Sequence, residues 1–168
     1  MTPWAALAAP LTARQQRLCA TTYVNAMSFP EGDALRPAKP HDRIRLGYFS
    51  ADFHGHATAY LMAELFERHN RERFEIFAFS FGPRSADPMR TRLEAAFDRF
   101  LDVSDRSDQE ITDQARDLQI DIAIDLKGFT EGCRSAIFSR RAAPIQVSYI
   151  GFPGTMGTDC IDYIVADP

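Results

Sequence analysis

Asp52, His54 and His56 fall within one polar run, residues 50–56 (SADFHGH). A carboxylate beside an imidazole can serve as a general base and its partner, because each can shift the other's pKa. The same residues also suit a plain surface loop in which the aspartate caps a turn and the histidines are solvated, and spacing alone does not choose. Two further runs are rich in glycine, 127–134 (KGFTEGCR) and 151–157 (GFPGTMG). Their backbone N–H groups could meet a phosphate or a sugar hydroxyl, although glycine is equally suited to a tight turn. Neither run spells GxGxxG or a P-loop.

Each of these runs follows a strand-like segment. Residues 43–49 carry Ile44, Leu46, Tyr48 and Phe49, and 57–69 then place Leu61, Met62, Leu65, Phe66 and His69 on one helical face. Thr58 either caps that helix or lies in its first turn with its hydroxyl free. Residues 74–81 (FEIFAFSF) are nearly continuous in apolar character, the pattern of a strand covered on both faces. Pro88 suits the first turn of a helix with Met89, Leu93, Ala96 and Phe97, and 100–103 read as a short strand. Ser107 and Glu110 form a capping box ahead of Ile111, Ala115 and Leu118. Strands are expected at 120–126, 145–150 and 162–166, with a short helix at 135–140. Strands alternating with helices at this spacing predict an α/β fold with a doubly wound, mostly parallel sheet. The loops after the first, fourth and fifth strands then share one sheet edge.

Upstream, Leu11, Leu18, Thr22 and Met27 predict one helix within 11–29, begun at Thr12 and ended before Pro30. Residues 30–42, with three prolines and a glycine, read as a linker. The apolar start lacks a basic region and is broken by Pro3 and Pro10, unlike a signal peptide, and no segment reaches membrane-spanning length, so a cytoplasmic protein is expected. The chain stops at Pro168 directly after a buried-looking strand, which reads as a piece of a longer protein.

At 168 residues the chain is long enough to bury a real core. A net charge of -4 argues against a general nucleic-acid or acidic-membrane binder. Arg84, Arg90 and Arg92 come nearest to a basic cluster, and acidic residues surround them. Cys19, Cys133 and Cys160, widely spaced, read as buried free thiols with no zinc site. Asp121 and Asp125 share a strand face as caps or paired charges, while His41 and His69 need only solvation or a helix-end contact.

RIRLGYFSADFHGHATAYL (43–61), IDLKGFTEGCRSAIFSRRAAPIQVSYIGFPGTMG (124–157) and DYIVADP (162–168) closely resemble the start of the catalytic region of the O-linked N-acetylglucosamine transferase and SPINDLY family. The resemblance covers residues 43–168, and residues 1–42 then look like the family's helical lead-in. It implies an inverting glycosyltransferase of the GT-B kind with two Rossmann-like lobes, of which this chain is the first. The donor would be UDP-GlcNAc and the acceptor a serine or threonine of a protein, without a metal or other cofactor. Tetratricopeptide repeats upstream and a C-terminal lobe would be its partners within the protein. SPINDLY-type relatives use GDP-fucose, which keeps a fucosyl donor open, and a non-catalytic interaction module is the alternative from another class.

Position by position, the resemblance implies His56 at the donor phosphate and sugar, Asp52 as a candidate for proton relay, and Thr58 near the diphosphate. Phe129 would line the sugar pocket, and Ile150, Gly151, Pro153, Gly154 and Thr155 would border the N-acetylglucosamine. The chain departs from the family pattern at Ala57, where proline is usual, at Gly55, where asparagine is common, and at Arg141-Ala142-Ala143-Pro144 in place of RPAP. The first two touch the donor loop and bear on sugar identity; the third is expected to loosen a turn. The family's nucleotide-binding lysines and histidine lie in the second lobe, so this chain alone is expected neither to turn over nor to bind UDP tightly.

Overall fold

The computed structural model describes residues 1–30, 32, 35 and 41–166, and most of the expected linker lies outside the described residues. Six strands form one sheet: β1 (Ile44–Ser50), β2 (Phe74–Ser80), β3 (Arg99–Asp102), β4 (Ile122–Asp125), β5 (Ile145–Tyr149) and β6 (Tyr163–Val165). Every neighbouring pair runs parallel, in the order β3-β2-β1-β4-β5-β6. This is a doubly wound Rossmann order, and it reverses direction between β1 and β4.

Alternation within the strands explains the two faces. Leu46, Tyr48, Ile76, Ala78 and Ile124 pack against α3 (Ala57–Glu67) and α4 (Pro88–Ala96). Phe49, Phe77, Phe79 and Ala123 point the other way, toward α5 (Asp108–Asp117) and α6 (Ala136–Ser139). Phe49 and Phe79 stack in parallel with centroids 4.3 Å apart. The unbroken apolar run of β2 is therefore buried on both sides, as read. By contrast β6 is the exposed edge, although its sequence looks buried: Tyr163, Ile164 and Val165 are all open to solvent.

Several expectations need correction. A helix, α1 (Pro3–Leu7), occupies the apolar start, with the Thr2 hydroxyl accepting from the Ala5 N–H and Pro3 in the first turn. The next helix, α2 (Ala13–Met27), begins as expected, through a capping box of Thr12 and Gln15. His69 has a definite partner, the Tyr48 hydroxyl at 2.8 Å from Nε2. Burial and the neighbouring Arg71 hold its pKa below the usual histidine value. The cysteines are half-buried and free. Among the arginines, Arg90 is buried; it donates to Ser80 and Glu94 and lies 4.3 Å over the Phe100 ring.

The segment from Arg141 to Pro144 is a tight turn, not a loosened one. Ala142 and Ala143 are fully buried, and Arg141 sits at φ +65° while its guanidinium bonds to Cys160, Pro144 and Asp162. Gln146 of β5 closes it. Its amide donates to the carbonyls of Phe138 and Cys160 at 2.8 and 2.6 Å and accepts the Ala142 N–H at 2.8 Å, with the Phe138 and Ala142 bonds out of solvent. Replacing Gln146 by methionine keeps the volume and strands the buried Ala142 N–H, while the Phe138 and Cys160 carbonyls keep donors in the Arg141 N–H and guanidinium, so chemical denaturation should show a loss of about 1–3 kcal/mol.

Candidate functional site

The β1–α3 and β4–α6 loops leave the carboxyl edge of the sheet side by side, because β1 and β4 are neighbours (Phe49 pairs with Asp125). Adjacency across the switch point brings Asp52 and Lys127 together. Lys127 Nζ donates to Asp52 Oδ2 at 2.8 Å, with the two side chains only 6% and 10% exposed. The Ser50 hydroxyl accepts the Asp52 N–H at 3.0 Å and ties down the backbone that carries the carboxylate.

His56 is the N-cap of α3, in place of the threonine cap that the sequence left open. Its backbone is extended (φ -136°, ψ 153°), and Nδ1 accepts the Thr58 N–H at 3.2 Å. Thr58 lies in the first turn. That acceptor role places the proton of the neutral ring on Nε2. Nδ1 also stands 3.6 Å from Asp52 Oδ2, too far for a hydrogen bond and close enough for an ion pair once the ring is protonated. His56 is exposed, so the ring offers an N–H donor outward in its neutral state. His54 touches it edge to face at 5.9 Å between centroids.

Asp125 ends β4 and is wholly buried. Its Oδ1 accepts the N–H groups of Lys127 and Gly128 at 2.9 and 3.1 Å, the strand-end capping expected of it. Desolvation outweighs those bonds and pushes its pKa up to about 6. Asp121 caps likewise, accepting the Arg45 N–H at 2.8 Å.

The β5–β6 loop leans on the same place. Gly151 abuts the backbone of Leu126 and Lys127; a Cβ there would lie 2.8 Å from the Lys127 Cα and would collide with the Leu126 carbonyl. Ile150, just before it, is held at φ +61°, a costly conformation for a β-branched residue, with its side chain partly exposed. Gly151 thus adjoins the backbone of Lys127. Pro153, Gly154 and Thr155 instead line a cavity of about 1400 Å³ between α2, this loop and β6, whose lining does not include Asp52, His56 or Lys127. Phe129 is buried, edge-on to Tyr23 at 5.3 Å and to Phe152 at 5.4 Å. With Ala20, Met156 and Leu7 these rings form a third core, so the lead-in helices seat the site loops.

Lys127 is the residue that sequence reasoning passed over. One signal was available: Lys39 and Lys127 are the chain's two lysines among 19 basic residues, and Lys127 comes just after an apolar strand. Among the described residues no group of three or more His, Cys, Asp or Glu is arranged to hold a metal. No helix among them is long and apolar enough to cross a membrane.

A parallel sheet reversing between β1 and β4, with a charged cluster at the reversal, defines a Rossmann-like lobe. The chain belongs to glycosyl transferase family 41, whose family model it matches over residues 7–168. It is 41% identical over 138 residues to the probable UDP-N-acetylglucosamine--peptide N-acetylglucosaminyltransferase SEC of Arabidopsis thaliana, covering 82% of this chain and 14% of that protein. It is 35% identical over 126 residues to the corresponding transferase of Caenorhabditis elegans, covering 74% of this chain and 11% of that one. A solved mutant of the Thermobaculum terrenum O-GlcNAc transferase superposes with a TM-score of 0.85 at 32% identity, over 95% of this chain and 31% of the other. The chain therefore spans well under half the length of each.

Two measurements probe the buried charges. Lys127→Met leaves Asp52 buried without a counter-ion and should cost about 3–5 kcal/mol, whereas the double change with Asp52→Leu should recover most of it; equal losses in both would refute the pairing. Asp125 has a folded pKa above its unfolded value, so its favourable contribution is complete below pH 3.8 and is lost as pH rises through about 6. Asp125→Asn keeps the acceptor and removes the titration. Its stability relative to the parent should rise between pH 4 and 7 by up to about 3 kcal/mol, and a flat difference would contradict the assignment.

Proposed function

We propose that this chain supplies the N-terminal lobe of an inverting protein glycosyltransferase that transfers N-acetylglucosamine from UDP-GlcNAc to serine or threonine hydroxyls. Residues 1–42 would be its helical lead-in and 43–168 the lobe itself. The observation that carries this reading is the Asp52, His56 and Lys127 cluster at the switch point of a family 41 chain.

Inverting transfer needs an acceptor hydroxyl in line with the anomeric carbon, a route for its proton, and donors for the departing diphosphate. Neutral His56, with Nδ1 engaged by the Thr58 N–H, directs its Nε2–H at an anionic oxygen of the donor. Asp52, fixed by Lys127, is the anion toward which the imidazole turns on gaining a proton, and the two together form the proton route. Thr58 lies beside the diphosphate at the start of α3. Gly151, against the Lys127 backbone, and Ile150 beside it border the sugar, Pro153, Gly154 and Thr155 face the separate cavity behind the same loop, and Phe129 supports that loop from beneath. The scheme uses no metal.

Lys127 is already neutralised by Asp52, so cations for the diphosphate come from a second lobe, and this chain alone binds UDP weakly. The chain is more similar to the SEC and Caenorhabditis elegans transferases, at 41% and 35% identity, than to the SPINDLY protein of Arabidopsis thaliana, at 28%, which favours UDP-GlcNAc over GDP-fucose. The test is radiolabelled transfer by the intact protein containing this chain. Label should pass to protein from UDP-GlcNAc and not from GDP-fucose, and His56→Ala should lower kcat by about 10²-fold or more. Transfer from GDP-fucose alone would replace the donor, and an undiminished His56→Ala variant would remove the histidine from the reaction.

A further inference from the structure

The loop that carries His56 has weak ties of its own. Between Asp52 and His56 it makes two three-residue turns, from the His54 N–H to the Asp52 carbonyl at 2.8 Å and from the His56 N–H to the His54 carbonyl at 2.6 Å. Such bonds are bent and hold the backbone loosely. The start of the loop is anchored by Lys127 and its end by the cap on α3. Its middle is held from outside.

The Gly55 N–H donates at 3.1 Å to Asp87 Oδ2, on the β2–α4 loop 32 residues away. Asp87 divides its oxygens. Oδ1 caps α4 by accepting the Arg90 N–H at 2.9 Å, and Oδ2, which takes Gly55, also receives the Ser85 hydroxyl. The Ser85, Arg90 and Gly55 bonds hold the carboxyl down at about 2, so it stays ionised at any pH suited to an enzyme assay. A cap needs one oxygen, and the second is committed to a different loop. Gly55 is exposed, and a Cβ there would rest 3.7 Å from the Asp87 carboxylate, so the hydrogen bond and not packing joins the two loops.

We propose that Asp87 is a positioning residue for His56: by holding the Gly55 N–H it fixes the backbone from which the imidazole approaches Asp52. Its consequence for transfer rests on the proposed function; its geometry does not.

Asp87→Asn separates the two roles. Asparagine is as good an N-cap, but it has one acceptor oxygen where aspartate uses two, so α4 stays capped and Gly55 meets an amide N–H₂. Asp87→Ser is the second variant, with a hydroxyl that caps and does not reach Gly55. On the 168-residue chain, hydrogen exchange should show the Gly55 amide opening about tenfold faster in both variants, with the Arg90 amide unchanged. The ring nitrogen resonances of His56 should shift, and Tm should stay within about 2 °C. In the intact enzyme kcat should fall about tenfold with donor KM unchanged. A Gly55 amide that exchanges at the parent rate, or His56 resonances that stay put once it is freed, overturns the proposal. An intact parent protein that transfers no sugar overturns the proposed function instead, and the ring resonances still decide for Asp87.

Discussion

A lysine and an aspartate, buried against each other at the point where the sheet reverses, set the terms for the rest of the structure. Removing two such charges from water costs several kcal/mol for each, and their attraction at 2.8 Å offsets this only when the geometry is held. The pair is therefore a poor way to gain stability and a good way to fix position. It exists because β1 and β4 are neighbours, so residues 75 apart in the chain leave the same edge together. Asp125 adds to the expense, since one ammonium cannot neutralise two buried carboxylates. The backbone N–H groups it accepts leave its pKa raised.

What offsets these costs lies away from the edge. Two aromatic-rich layers cover the faces of the sheet, and a third core of Phe129, Phe152, Met156 and Ala20 joins α1 and α2 to the loops after β4 and β5. The lead-in is thus part of the support of the site. The positive φ of Ile150 is tolerable for the same reason: Gly151 beside it is wedged against Leu126 and Lys127, which leaves that corner little freedom to relax.

The sheet was legible because its signals are local: an apolar run covered on both faces, a capping box at Ser107, alternating helices and strands. Even the shared edge of the three loops follows from parallel connectivity. The unread parts depend on contacts across the chain. Lys127 has no meaning until strand four is placed beside strand one. His69 looks solvated until Tyr48 turns toward it, and the turn at Arg141 looks loose until Gln146 is seen beneath it. The short α1 was missed because a five-residue helix has almost no periodicity, leaving only the threonine-proline start as a signal. Asp52 and His56 were readable as chemistry by type, and their relation to each other was not.

The two departures in the β1–α3 loop acquire a physical sense once the tethers are known. A proline at the first position of α3 would pre-set its φ and give the helix a fixed start. Ala57 stands there instead and leaves that turn freer. The missing constraint is supplied by side chains, with the His56 imidazole capping the Thr58 N–H from one side and Asp87 holding Gly55 from the other. Such an arrangement is softer than a proline ring, and it makes the cap depend on the protonation of His56. When the ring gains a proton at Nδ1 it can no longer accept from Thr58, and Asp52 becomes its nearest partner. The first turn of α3 therefore rests on which ring nitrogen of His56 carries the proton.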